Sequence, residues 1–156
     1  FSPIKKIPQD MMIQKTTELG IQKFIPLLCE RSVVREINVE RAKRIATEAS
    51  EQSNRISVPE ILKIQDLEIF LKSFTENGHL IFCDINCKSS NLKNILSKKD
   101  PTCILIGPEG DFSENERQLI VNHKRTVSIS LANNILRAET AAIAATTILS
   151  YNLNFK

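Results

Sequence analysis

The chain has 156 residues, 42% hydrophobic and 25% charged, an ordinary globular composition long enough to close a core without disulfides or metals. Its four glycines, Gly20, Gly78, Gly107 and Gly110, cannot build a G-x-G-x-x-G fingerprint or a P-loop, and its two histidines leave no H-E-x-x-H zinc pair. The formal charge of +3 comes wholly from residues 1–65, with 11 Lys and Arg against 8 Asp and Glu, which permits a polyanionic partner without requiring one.

The first helix is predicted over 10–19, with Asp10 as N-cap, an apolar stripe through Met12, Ile13, Thr16 and Leu19, and Gly20 as the stop. A strand over 24–28 follows, edge or irregular because of Pro26. Residues 39–52 read as a helix with Ala42, Ile45, Ala46, Ala49 and Ser53 on one face and a solvated face of Arg41, Lys43, Arg44, Glu48 and Glu51. From Pro59 the pattern alternates: strand 61–64, helix 67–74, strand 79–84, helix 92–96, strand 103–106, a helix from Ser113, strand 126–131 and a last helix ending near 151. Short apolar strands separated by helices predict an α/β fold, a parallel sheet with helices on both faces. Ligands gather beyond the carboxyl ends of such strands, so the turns after 79–84, 103–106 and 126–131 are the places to look for chemistry.

No apolar run approaches the roughly 20 residues of a membrane span, and no signal-peptide pattern opens the chain, so no membrane partner is expected. Cys29, Cys83, Cys87 and Cys103 form no C-x-x-C, and three adjoin apolar residues. They read as reduced, mostly buried thiols of a cytoplasmic protein rather than a disulfide or metal site. The chain starts at Phe1 without a methionine, which reads as a fragment.

Two of the three turns carry unusual residues. Ile106-Gly107-Pro108-Glu109-Gly110-Asp111-Phe112-Ser113 holds half of the glycines, and Ser113 with Glu116 forms a capping box. Gly107 and Gly110 allow close backbone approach and backbone conformations that other residues resist. The turn is either a plain connector or a rigid cradle of backbone donors for an adenine edge or a carboxylate. Glu109, between proline and glycine, has no evident packing reason. Ile135-Leu136-Arg137-Ala138-Glu139 is the second turn. Glu139 suits a helix's first turn, whereas a cation such as Arg137 is disfavoured there unless something anionic offsets it. The small residues Ala138, Ala141, Ala142, Ala144, Ala145 and Thr146 permit close helix contact, within the fold or across a dimer. Elsewhere, Gln52 and Arg55 close the basic helix as a solvated end, and Lys15 with Glu18 fits a surface pair.

Four ordered stretches resemble the signatures of one family. They are Gln14-Lys15-x-x-Glu18-Leu19-Gly20 with Pro26 and Glu30-Arg31-Ser32; Glu51-Gln52-Ser53-x-Arg55 with Pro59; Gly107-Pro108-Glu109-Gly110 with Glu116; and Ile135-Leu136-Arg137-x-Glu139-Thr140-Ala141. The family is the bacterial 16S ribosomal RNA uridine-N3 methyltransferases of the SPOUT (α/β-knot) superfamily, and the resemblance runs from about residue 5 to 150. It implies one SPOUT domain over 1–156 whose C-terminal segment threads a deep trefoil knot, with an N-terminal β-barrel RNA-binding domain missing. The implied cofactor is S-adenosylmethionine, bound bent against three turns: Cys83 and Asp84; Ile106, Gly107, Pro108 and Gly110; and Leu131, Ala132, Ile135 and Leu136. The implied partners are 16S ribosomal RNA of the small ribosomal subunit and a second copy in a homodimer, with no metal.

The candidate catalytic residues are Arg137, Glu139 and Glu109. Arg137 would stabilise an anionic uracil or a phosphate, and one of the two glutamates would take the N3 proton or orient the base. Lys15, Arg31, Arg35, Arg41, Arg44 and Arg55 are the candidate RNA contacts. Two departures from the family pattern stand out: Asp111 and Ala132 occupy positions where glycine is usual, and Ala132 would be strained at positive φ. They favour one rival, a knotted RNA-binding or dimerisation module without cofactor affinity; a methyltransferase of another RNA is a separate alternative.

Overall fold

The computed structural model describes residues 1–74, 78–87 and 100–154. In chain order its elements are α1 (Lys6–Glu18), β1 (Lys23–Phe24), β2 (Leu27–Leu28), α2 (Val39–Gln52), β3 (Glu60–Ile61), β4 (Gln65–Asp66), α3 (Leu67–Ser73), β5 (His79–Cys83), β6 (Thr102–Leu105), α4 (Glu114–Asn122), β7 (Thr126–Ile129) and α5 (Ala138–Asn154). The helix predicted at 92–96 lies outside the described residues.

Strand β5 is central, flanked in parallel by β6 and β7, with Ile81 opposite Ile104 on one side and Val127 on the other. Its apolar run lets alternate residues bury on opposite faces. Leu80 and Phe82 join Leu105, Phe70, Phe112 and Ile120 in one cluster, while Ile81 packs with Ile129 and Leu149 in another. Both faces of this sheet are therefore covered, as the sequence predicts. The strand predicted over 24–28 splits instead. Pro26 has no N–H for a ladder, so β1 pairs with β3 and β2 pairs separately with β4. The strand predicted over 61–64 is divided in step, into β3 and β4.

Helix α1 corrects a second expectation. It starts at Lys6, not at 10, with Lys5 at the N-cap position and no side-chain cap. Pro8 fits the first turn, where no backbone donor is needed. Asp10 is thus inside the helix and not its cap; it binds Arg41 of α2, with Nη2 2.7 Å from Oδ2. The helix stops where predicted: Gly20 has φ +102°, and the amides of Gly20 and Ile21 donate to the carbonyls of Thr17 and Thr16 at 3.0 and 3.1 Å. Arg55 is not a solvated helix end. Its half-buried guanidinium donates through Nη1 to the carbonyls of Thr17 and Ile21, where the helix dipole of α1 is negative. Helix α2 has the predicted bounds and buries Ala42, Ala46, Ala49 and Ser50, with Ser53 serving as its C-cap. The small residues of α5 make a tight intramolecular contact, Ala138, Ala141 and Ala142 packing with Met12, Ile13 and Ala46.

All four cysteines are free thiols. Burial pushes Cys29 up to about 11 and Cys83 up to about 12, and raises Cys103 as well. These thiols hold their protons more tightly folded than unfolded. Their contribution to stability is therefore intact below the unfolded value of 9.0 and is lost as pH climbs through the folded values. Melting temperatures should fall as pH rises above 9, less steeply in a Cys83→Ala variant. A variant as steep as the parent would contradict the assignment. Among the described residues no helix is long and apolar enough to cross a membrane, and no acidic, cysteine or histidine cluster could hold a metal.

Candidate functional site

The carboxyl ends of β5, β6 and β7 open on one cavity of about 830 Å³, within the range of small-molecule sites. Its walls include Cys83 and Asp84 after β5; Ile106, Gly107, Pro108, Glu109 and Gly110 after β6; and Leu131, Ala132, Ile135, Leu136, Arg137 and Glu139 after β7. The cavity thus brings together each candidate cofactor and catalytic residue named above. Lys5 and Pro8 also line it, from the start of α1, and nothing in the spacing of the sequence singled them out.

The wall after β6 is built differently from the sequence expectation. Neither Gly107 nor Gly110 adopts a positive φ. Gly107 is required by packing: a Cβ there would lie 2.8 Å from the ring of Phe112, which stands edge-on against Phe82 at a 5.5 Å centroid distance. The left-handed residue is Asp111, at φ 59°. Aspartate tolerates that region, and here its Oδ1 accepts the Phe112 amide at 2.8 Å while its own amide donates to the Pro108 carbonyl at 3.0 Å. Ala132 has no positive φ, so of the two departures only Asp111 carries backbone strain.

Glu116, 6% exposed, fastens this wall to a distant loop. One oxygen accepts the Ser113 amide at 2.9 Å, completing the capping box, and the other accepts the Glu30 amide at 2.8 Å. Next to Glu30, Arg31 donates to the Gly110 carbonyl at 3.3 Å. A Glu116→Ala variant leaves both amides without their acceptor and should lose about 2 kcal/mol of stability. Denaturant unfolding measures this; a loss no larger than that of an exposed control such as Glu114→Ala would count against it. On the adjacent residue, Arg117 reaches the other way and donates to the buried Asp84 carboxylate at 2.6 Å. Asp84 also accepts the Asn86 amide at 2.9 Å, which shapes the turn after β5. Arg117 was missed because its partner is 33 residues away.

The third wall leads into α5. The Arg137 carbonyl accepts the Ala141 amide at 2.8 Å, so Arg137 occupies the helix's N-terminal cap position, while its side chain is exposed with no partner among the described residues. Glu139 is half-buried beside it. Around the cavity, the amides of Gly107, Glu109, Gly110, Ile135 and Leu136 also lack partners among the described residues. These are backbone donors left over by the fold on residues that line a cavity open to a ligand.

The candidate RNA cations are spread over α1, the loop before α2, α2 itself and the turn after it. Arg35 and Arg44 are exposed with no partner among the described residues. Lys15 forms an exposed pair with Glu18 at 2.9 Å, Arg41 is held by Asp10, Arg55 is held by carbonyls, and the exposed Arg31 donates to the Gly110 carbonyl.

A parallel α/β domain with this cavity at its strand ends has known counterparts. Residues 1–150 match the family model described as the RNA methyltransferase domain, and the chain belongs to that family. Ribosomal RNA small subunit methyltransferase E of Rickettsia conorii is 40% identical over 146 residues, covering 91% of this chain and 59% of the relative. The Aquifex aeolicus protein of the same name is 33% identical over 144 residues, covering 90% of this chain and 61% of the relative. A crystal structure of ribosomal RNA small subunit methyltransferase E from Neisseria gonorrhoeae bound to S-adenosyl methionine superposes with a TM-score of 0.86 at 29% identity, over 95% of this chain and 62% of that one. The chain spans about three fifths of the length of these relatives.

Proposed function

We propose that this chain is the catalytic domain of an S-adenosylmethionine-dependent enzyme that methylates N3 of a uridine in 16S ribosomal RNA. The observation that carries this reading is one cavity that gathers three turns, a set of unpartnered amides and the polar side chains Arg137, Glu139 and Glu109. The donor set suits the proposed cofactor. Backbone amides at Gly107, Gly110, Ile135 and Leu136 match an adenine edge or a carboxylate, and Ile106, Leu131 and Ile135 supply apolar wall. When bound, the cofactor supplies an electrophilic methyl group on a sulfonium.

Uridine N3 is protonated at neutral pH, so methyl transfer to it requires that proton to leave. Glu139 or Glu109 accepts it, and Arg137 stabilises the negative charge that spreads onto O2 and O4. The target base must be unstacked to enter a cavity of this kind. Arg31, Arg35 and Arg44 supply backbone contacts that make RNA binding salt-dependent. The reading extends to the SPOUT trefoil knot, a homodimer in which each copy completes the other's site, a cytoplasmic setting, the small ribosomal subunit as partner, and an N-terminal RNA-binding domain in a longer protein. The similarity to the relatives above and their additional length support it.

Two measurements test the proposal. Calorimetric titration with S-adenosylmethionine should show saturable binding, and absence of heat at millimolar cofactor would favour the RNA-binding module without cofactor affinity. Mapping methylated uridines after gene deletion should show one N3-methyluridine lost from small-subunit RNA; loss from another RNA instead would reassign the substrate.

A further inference from the structure

The cavity wall after β5 is held by a pair that only half belongs to it. Asp84 lines the cavity, whereas Arg117 stands behind it on the first turn of α4 and is not a lining residue. The Asp84 side chain is only 4% exposed, and both of its oxygens are engaged. Oδ2 accepts Arg117 Nη2 at 2.6 Å and Oδ1 accepts the Asn86 amide at 2.9 Å. The backbone of Asp84 is tied as well. Its amide donates to the Ile129 carbonyl at the end of β7 at 2.9 Å, and its carbonyl accepts the Cys87 amide at 3.2 Å. The Cys87 thiol closes the turn onto β7 by donating to the Ser128 carbonyl at 3.3 Å. Ile85 is the residue that this turn presents. It lines the cavity, is 56% exposed, and its amide has no partner among the described residues.

As a source of stability the pair is poor. The cost of taking charges out of water offsets much of their attraction, and apolar residues of similar volume often serve stability as well in such a place. Arg117 Nε adds a penalty, being buried with no partner among the described residues. What an apolar pair cannot supply is direction. A short charged hydrogen bond fixes the plane of the carboxylate, and with it the Oδ1 bond that sets the backbone of residues 84–86.

We propose that Arg117 is a positioning residue for cofactor binding: acting through Asp84, whose carboxylate is a brace and not a ligand, it holds the turn 84–87 in the conformation that receives S-adenosylmethionine beside Ile85. A turn ordered before the ligand arrives spares the binding step the cost of ordering it, so loss of the brace weakens affinity without removing a contact. The role rests on the proposed function for the identity of the ligand.

Calorimetric titration of the whole chain with S-adenosylmethionine tests it, with the folding of each variant checked by circular dichroism at the titration temperature. Arg117→Met and Asp84→Asn should each weaken binding about tenfold or more. The double variant should lose no more than about twofold beyond either one, because both substitutions break the same link. Arg117→Lys keeps a cation able to donate to Oδ2 and should recover most of the loss. In Arg117→Met the amides of Asn86 and Cys87 should exchange about tenfold faster or more. A folded Arg117→Met with the parent's affinity, or with unchanged exchange at those two amides, would overturn the role. Losses that multiply in the double variant, or a much larger loss in Asp84→Asn than in Arg117→Met, would make Asp84 a ligand and overturn it as well. Should Arg117→Met fail to fold, Arg117→Lys and the double variant, in which no charge is left unpaired, decide in its place. A parent that binds no cofactor overturns the proposed function and this role together, whereas a parent and variants that bind equally overturn this role alone.

Discussion

An Arg137→Ala variant is expected to lose methyl transfer by about 10²–10³-fold, the usual cost of removing a preorganised charge-stabilising donor. Its affinity for S-adenosylmethionine should be nearly unchanged. The asymmetry follows from where Arg137 stands. Its side chain is exposed and makes no hydrogen bond or ion pair with a described residue, so truncation removes no polar tie that holds the fold. The adjacent groups proposed to hold the cofactor are backbone amides of Ile135 and Leu136, which the substitution leaves in place. A cation at the start of α5 faces the positive end of that helix and is unfavourable until an anion arrives. Single-turnover transfer from a labelled methyl donor, paired with calorimetry, measures both quantities. Near-normal methylation by the variant would refute the role of Arg137, and a parallel collapse of cofactor affinity would recast it as a binding residue.

The second large effect is steric. Gly107→Ala should cost about 1–3 kcal/mol, the usual penalty for overpacking a filled site, and weaken cofactor binding at least tenfold. The new methyl group would meet Phe112 at 2.8 and 3.1 Å, and that ring is 4% exposed and braced by Phe82. The wall of the cavity must move instead. Gly110→Ala is the matched control: its nearest neighbours are the Cβ and carbonyl of Arg31, both at 3.6 Å, and its backbone is not left-handed. It should melt within about 0.5 kcal/mol of the parent, as substitutions clear of packed or strained positions usually do. Indistinguishable melting and binding for the two variants would defeat the steric account.

What could be read in advance was local in sequence. Helix α2 was legible from an apolar face repeated over fourteen residues, and the start of α4 from Ser113 and Glu116 three positions apart. The three turns were legible because apolar strands of a parallel sheet aim their carboxyl ends to one side. The misreadings share a different cause. Asp10 looks like a cap because its true partner, Arg41, is 31 residues away, and Glu116 looks like a local cap only, although it also binds an amide 86 residues upstream. The glycine at 107 suggested unusual backbone torsion, but the constraint comes from a ring five residues on that folds back over it. Pro26 signalled irregularity without revealing that it would divide one strand pairing into two.

Glu116 and Arg117 sit side by side on the first turn of α4, yet one anchors the loop bearing Arg31 and the other the turn bearing Asp84. A helical end of this sort is usually the first part of a helix to fray. Here fraying would unhook both the loop and the turn in a single event, so the site should fail as one cooperative unit. On warming, the capacity to hold a ligand would then disappear in one step, ahead of the sheet that carries it.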